Sequence, residues 1–181
     1  MKVIETELPG VLIIEPKIFG DARGFFYESY NEREFRANTG VDAHFVQDNH
    51  SRSACNVLRG LHYQVKRPQG KLVRTTAGTV YDVVVDVRRS SKTFGKWLGL
   101  MLSADDRRML WIPPGYAHGF LVTSDYAEFQ YKTTEYWAPE HERCICWNDP
   151  ELDIRWPLAV QPILSSRDQA APRLQLAEVL P

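Results

Sequence analysis

The chain has 181 residues, with 22 Lys and Arg against 23 Asp and Glu, and a formal net charge of -1. That length fits one ordinary domain, and apolar and charged fractions of 44% and 25% belong to a globular chain rather than a disordered one. A near-zero sum excludes coating of nucleic acid or an anionic membrane by bulk charge, but leaves room for a small anionic ligand held by a few arginines.

Glu5 and Glu7 interrupt the N-terminus before an apolar signal region forms, and no apolar run approaches the ~20 residues of a membrane span, so a soluble cytoplasmic protein is expected. Cys55, Cys144 and Cys146 cannot all pair within one chain, and the C-x-C of the last two is neither a zinc-ribbon nor a redox spacing. Buried thiols in a reducing compartment are expected. No repeat or linker divides the chain, so residues 1–181 are expected to form a single domain with N- and C-terminal extensions.

In chain order, short strands are expected at 11–15 and 25–30. Asn31, with Glu34 three residues on and Gly40 as a stop, predicts a helix over 32–39. Further strands are expected at 45–51, 71–76, 80–87, 97–102, 108–112, 119–123 and 127–133, separated by turns at Ala77-Gly78, Lys92 to Gly95 and Pro113-Pro114-Gly115. The 80–87 run (V-Y-D-V-V-V-D-V) reads as a core strand, and alternation over 127–133 puts Ala127, Phe129 and Tyr131 on one face. Ser165 and Pro172 bracket a helical turn. Many short strands with regular turns predict an antiparallel sandwich or barrel with short peripheral helices.

Four clusters carry candidate chemistry. Leu58 to Gln64 (L-R-G-L-H-Y-Q) brings His62 onto a strand that enters a core; a lone histidine there packs structurally unless partners make it a base. Ile112 to Phe120 (I-P-P-G-Y-A-H-G-F) is a rigid turn that delivers His118 to the next strand, and resembles the second motif of cupins, double-sheet jelly rolls. In metal-binding cupins that histidine joins an H-x-H pair and a glutamate. Here Gln64 stands where the second histidine would be, and Gln69 near the glutamate position, which is a poor ligand set, so no metal is expected. On the strand over 127–133, Tyr131 is an inward phenol that needs a partner or a task. Arg23 and Arg59 each precede a glycine at a strand start, where two guanidinium groups suit a diphosphate, and Gln47, Asn49 and Ser51 share one face of their strand.

Taken together, D-A-R-G-F-F at 21, Q-D-N-H-S at 47, L-R-G-L-H-Y-Q at 58, Q-G-K-L-V-R at 69, I-P-P-G-Y-A-H-G-F at 112, Y-K-T-T-E-Y at 131, W-N-D-P at 147 and S-R-D at 166 resemble the dTDP-4-dehydrorhamnose 3,5-epimerase family, metal-free cupins of deoxysugar biosynthesis. The resemblance implies an all-β, cupin-type double-sheet jelly roll and a dTDP-linked 4-keto-6-deoxyhexose substrate inverted at C3′ and C5′, with no cofactor and no nucleic-acid or membrane partner. It implies His62 as general base, Asp168 as its carboxylate partner, Lys71 as oxyanion stabiliser and Tyr131 as the acid on the opposite face. Arg23 and Arg59 fall where the family grips the diphosphate. Glu28, Gln47, Asn49 and His118 line the nucleotide-sugar cleft, Tyr136 or its neighbour Trp137 stacks on the base, and Glu142 and Arg167 are further binding positions, Arg167 replacing the family's usual lysine. A homodimer whose strand exchange completes the nucleotide pocket is implied as well. A mono-epimerase acting at C3′ or C5′ alone shares all these motifs. A metal-dependent cupin oxygenase or isomerase and a non-enzymatic sugar-binding cupin also stay open.

Overall fold

The computed structural model describes residues 1–181. Two antiparallel sheets pack face to face. One has six strands in the order β1 (Lys2–Glu5), β2 (Leu12–Glu15), β10 (Met109–Ile112), β7 (Lys71–Ala77), β12 (Tyr126–Thr133) and β5 (Gln47–Ala54). The other has five, in the order β13 (Glu142–Cys144), β6 (Leu58–Gln64), β11 (Tyr116–Val122), β8 (Thr79–Asp86) and β9 (Trp97–Ser103). β3 (Phe19–Asp21) and β4 (Gly24–Phe26) form a separate hairpin.

Apolar side chains from both sheets meet between them: Val73, Leu110 and Phe129 from the first, Val80, Val84, Leu102 and Phe120 from the second. Two further clusters cover the outer faces. Residues from 145 onward, among them Ile145, Leu152, Leu174 and Ala177, bury Val83, Val85 and Ala117 behind the five-stranded sheet. Helix α1 (Glu32–Thr39) and its flanks bury Leu12, Ile14, Leu72 and Trp111 behind the six-stranded sheet, with Phe35 at the centre. Strand β8 is therefore covered on both faces, which is why 80–87 reads as a nearly continuous apolar run rather than an alternating one.

α1 occupies the expected residues: the Asn31 side chain accepts from the Glu34 N–H, and Gly40 closes the helix in the left-handed region at φ 69°. α2 (Ser166–Gln169) begins with Ser165 capping the Asp168 N–H. Three expectations need correction. The strand placed at 25–30 is only β4, since Phe25 and Phe26 have a single hairpin partner and Glu28 already accepts from the Asn31 side chain that starts the helix. The strand expected at 45–51 runs from 47 to 54, because β12 pairs with it along that whole length. The strand expected to start at 119 starts at Tyr116, so His118 lies within it rather than before it. β1, β3 and β13 are additions to the expected strands; at three or four residues they are too short to alternate visibly and owe their form to the neighbours they pair with.

Candidate active site

β6 and β11 approach unusually closely because glycine faces glycine. A Cβ on Gly119 would lie 2.6 Å from the Arg59 carbonyl oxygen, and one on Gly60 would lie 2.5 Å from the Gly119 Cα. Beyond this contact His62 and His118 are register partners on the two strands, so both rings project from the same face, toward the six-stranded sheet. His118 stacks on Phe129 of that sheet at 5.9 Å between ring centroids, and Phe129 in turn touches Tyr131 at 6.4 Å.

Each histidine has its own carboxylate. His62 Nε2 lies 2.6 Å from Asp168 Oδ1, across 106 residues of sequence. The Ser165 hydroxyl donates to Asp168 Oδ2 at 2.8 Å. Burial pushes the Asp168 carboxyl up, but hydrogen bonds from His62, Ser165 and the Gly60 backbone outweigh it and hold the group below the usual carboxylate range. His118 Nε2 lies 2.8 Å from Asp82 Oδ2, and both residues are buried.

The facing sheet supplies Lys71 and Tyr131. Lys71 is buried on β7 and makes no hydrogen bond or ion pair; desolvation lowers its ammonium to about 8, against the opposing pull of Glu142 and Asp82. Tyr131, inward as the alternation requires, has its phenol raised mainly by burial and further by Glu142, with Arg59 acting the other way. Gln47 and Asn49 lie beside it on β5, bonded to each other at 2.9 Å, and Asn49 is the register partner of Tyr131. Arg59 leaves β6 and donates to Ser53 Oγ of β5 at 2.9 Å, joining the two sheets at the mouth of the cleft without engaging any carboxylate.

At the rim, Glu142 accepts from Arg167 and from the Trp137 indole, and the Trp137 backbone N–H donates to Gln47. Gln64 is spent on the backbone: its amide nitrogen donates to the carbonyls of Arg67 and Tyr136, and its oxygen accepts from the Ala138 N–H. It clamps two loops and is committed away from any metal-ligating role. No three His, Cys, Asp or Glu side chains cluster with ligating geometry.

The structure thus gathers His62, Asp168, Lys71, Tyr131, His118, Arg59, Gln47, Asn49, Glu142 and Arg167 around one cleft. The side chain of Tyr136 stands exposed at its rim. Arg23 and Glu28 are elsewhere within this chain: Arg23 pairs with Asp21 on the exposed β3–β4 hairpin, and Glu28 accepts from Asn31. Sequence reasoning passed over Ser53, and it read Ser165 only as a helix cap and not as a donor to Asp168, because these roles are set by contacts across the fold. It also passed over Asp82, which did leave a signal: an acid at an inward position of an otherwise apolar strand.

Comparisons with known proteins agree with this fold. A family model described as dTDP-4-dehydrorhamnose 3,5-epimerase matches residues 5–176. A protein of that name from Pseudomonas aeruginosa is 59% identical over the full length of both chains. A crystal structure of a 3,5-epimerase from Legionella pneumophila in complex with dTDP-4-keto-L-rhamnose superposes with a TM-score of 0.95 at 51% identity, covering 98% of this chain and 94% of that one. A 3′-monoepimerase from Streptomyces bikiniensis, in complex with dTDP-quinovose, is also similar, with a TM-score of 0.89 at 34% identity over 97% of this chain and 88% of that one.

Proposed function

The chain belongs to the dTDP-4-dehydrorhamnose 3,5-epimerase family, and from that premise we propose how its cleft performs the reaction. It is an isomerase that inverts C3′ and C5′ of dTDP-4-dehydro-6-deoxy-D-glucose to give dTDP-4-dehydro-L-rhamnose.

The C4′ ketone acidifies the hydrogens on both neighbouring carbons. His62 removes one of them, and the carbon–hydrogen electron pair moves toward the C4′ oxygen as an enolate. Asp168, at 2.6 Å, steadies the imidazolium that forms. Lys71, buried and free of any carboxylate partner, neutralises the enolate oxygen; its pKa of about 8 leaves it mostly cationic near pH 7. Tyr131, whose burial keeps it protonated, returns a proton to the carbon from the other side, and solvent restores both groups. No electrons are exchanged with a partner, so the scheme calls for no cofactor. The observation that carries it is that base and acid come from opposite sheets: His62, backed by Asp168, on β6 and Tyr131 on β12. Inversion needs this arrangement, because the proton must leave one face and return to the other.

Arg59 and His118 meet the diphosphate and sugar, Gln47 and Asn49 line the floor, and Tyr136, with Trp137 and the Glu142–Arg167 pair, borders the base. Residues 1–181 form a single jelly-roll domain with N- and C-terminal extensions. The β3–β4 hairpin supports a homodimer: Phe19, Phe25 and Phe26 are 52%, 58% and 67% exposed, an apolar surface that one chain covers only in part, with Arg107 over Phe25 and Lys17 over Phe19. In this reading the hairpin carries Arg23 and Glu28 to the cleft of a second copy. A cytoplasmic location fits the three free cysteines.

The test is incubation with dTDP-4-keto-6-deoxyglucose in D₂O, followed by NMR. Deuterium at both C3′ and C5′ is expected. Deuterium at one carbon alone would assign a mono-epimerase, and none at either would refute the scheme.

A further inference from the structure

The cleft contains a second buried carboxylate that the catalytic scheme does not use. Asp82 sits at the inward position of β8 between Val80 and Val84, with no solvent exposure at all. Its Oδ2 is taken by His118 Nε2 at 2.8 Å. Its Oδ1 is buried and has no hydrogen-bond partner. Leaving a buried carboxylate oxygen unpaired is costly, and such an oxygen in an otherwise well-satisfied interior calls for an explanation. On the facing sheet stands its complement, the buried Lys71 ammonium, also without a partner. An apolar strand interior gains nothing from an acid at this position unless the acid acts on something in the cleft.

We propose that Asp82 is a positioning residue of the reaction: through Oδ2 it fixes the His118 ring, and through Oδ1 it keeps the Lys71 ammonium charged and aimed at the substrate oxygen. The proposal rests on Lys71 being the group that meets the enolate. It gives the two histidines, neighbours on β6 and β11, separate carboxylates with separate tasks. Asp168 serves the proton-removing base, and Asp82 serves the cationic side that receives the developing negative charge. Without Asp82, closing the cleft over substrate would favour the neutral amine, since desolvation already acts on Lys71 in that direction. The other titratable groups around the cleft are Glu142 on β13, His62 on β6 with Asp168 behind it, His118 on β11, Tyr131 on β12 and Arg59. Glu142 exerts the larger pull on Lys71, ahead of Asp82, but its Oε2 is engaged by Arg167 and Trp137. Asp82 is the one whose free oxygen is fully buried.

The experiment compares wild type, Asp82→Asn and Asp82→Glu by the pH dependence of kcat, and by direct titration of Lys71 from the NMR shift of its ¹³C-labelled ε-methylene. In Asp82→Asn the Lys71 titration and the alkaline limb of kcat should move together to lower pH by about one unit or more, the shift expected when a nearby opposite charge is removed. Asp82→Glu, which keeps the charge, should hold both near their wild-type positions, and it supplies the test if Asp82→Asn does not fold. A merely structural role predicts a drop in kcat that is the same at every pH, with the Lys71 titration unmoved; that result overturns the proposal, as does a Glu variant whose limb shifts as far as that of Asn. Deuterium exchange by the wild type, run in the same series, separates this failure from failure of the epimerase scheme. Wild type that exchanges while Asp82→Asn leaves Lys71 unchanged condemns only the role of Asp82.

Discussion

Asp168→Asn isolates the charge behind the base from the shape of the site. Asn matches Asp in volume and can still accept a hydrogen bond from His62, and the Ser165 cap onto the residue 168 N–H is a backbone contact that survives the change. The variant should therefore fold as wild type does. It loses the negative charge 2.6 Å from His62 Nε2, in a site where the Asp168 side chain is 3% exposed. A charge-assisted hydrogen bond exceeds a neutral one by about 1–2 kcal/mol. Two unit charges ~4 Å apart at an effective dielectric of ~20 attract by about 4 kcal/mol. The imidazolium exists only once the proton has left carbon, so this loss falls on the transition state and not on substrate binding. At about 1.36 kcal/mol per decade the range corresponds to a loss of roughly 10- to 1,000-fold in kcat. We expect about 100-fold, with KM little changed. The assay is deuterium exchange at C3′ and C5′ at saturating substrate, with thermal unfolding as the check on folding. A variant as stable as wild type whose kcat stays within about threefold would refute the reasoning, because a difference that small corresponds to less than about 1 kcal/mol.

Tyr131→Phe removes the returning proton but not the base; formation of inverted product should fall about 100-fold or more, as for a lost general acid, while exchange of the substrate hydrogens declines much less. Equal losses in both would argue against Tyr131 as the acid. Gly119→Ala places a methyl 2.6 Å from the Arg59 carbonyl oxygen, and the strands must separate; a loss of about 1–3 kcal/mol in urea denaturation, with reduced kcat from the disturbed His62–His118 register, is expected. Asp86 is pushed up by burial, but hydrogen bonds from Arg88, Ser91 and Thr93 bring it down to about 2. Its folded pKa lies below its unfolded one, so its contribution of about 2 kcal/mol is complete above pH ~4 and is lost as pH falls toward 2. Asp86→Asn should flatten the acid limb of stability over that window, and an unchanged limb would count against it. Phe26→Glu places a charge on the exposed apolar hairpin and should yield monomers by light scattering, with activity lost if Arg23 and Glu28 serve a second copy.

Local chemistry was readable where the cause is local. The α1 boundaries follow from the Asn31 cap and the left-handed Gly40, both properties of a few adjacent residues. The inward face of 127–133 follows from alternation, and the turn at 113–115 from its prolines and glycine. Strand edges were less legible: β5 extends to Ala54 because β12 lies alongside it, and the strand at 25–30 shrinks because nothing beyond a hairpin pairs with it.

The residue types of the site were present in the sequence, and their order along the chain identified the family. The motif resemblance paired Asp168 with His62, but nothing in the sequence paired Asp82 with His118. Asp168 reaches His62 across 106 residues, and Asp82 reaches His118 across 36, because a C-terminal turn and a neighbouring strand are brought there by packing. The four basic residues expected to converge on one anion are treated differently by the fold: Arg59 and Lys71 face the cleft unpaired, Arg167 is tied to Glu142, and Arg23 is held on a hairpin. The near-neutral composition argued on its own only against coating of a polyanion by bulk charge, since bulk charge is a sum over the sequence. Where the unbalanced charges lie was decided only by the tertiary structure, because pairing depends on distance in space and not on distance along the chain.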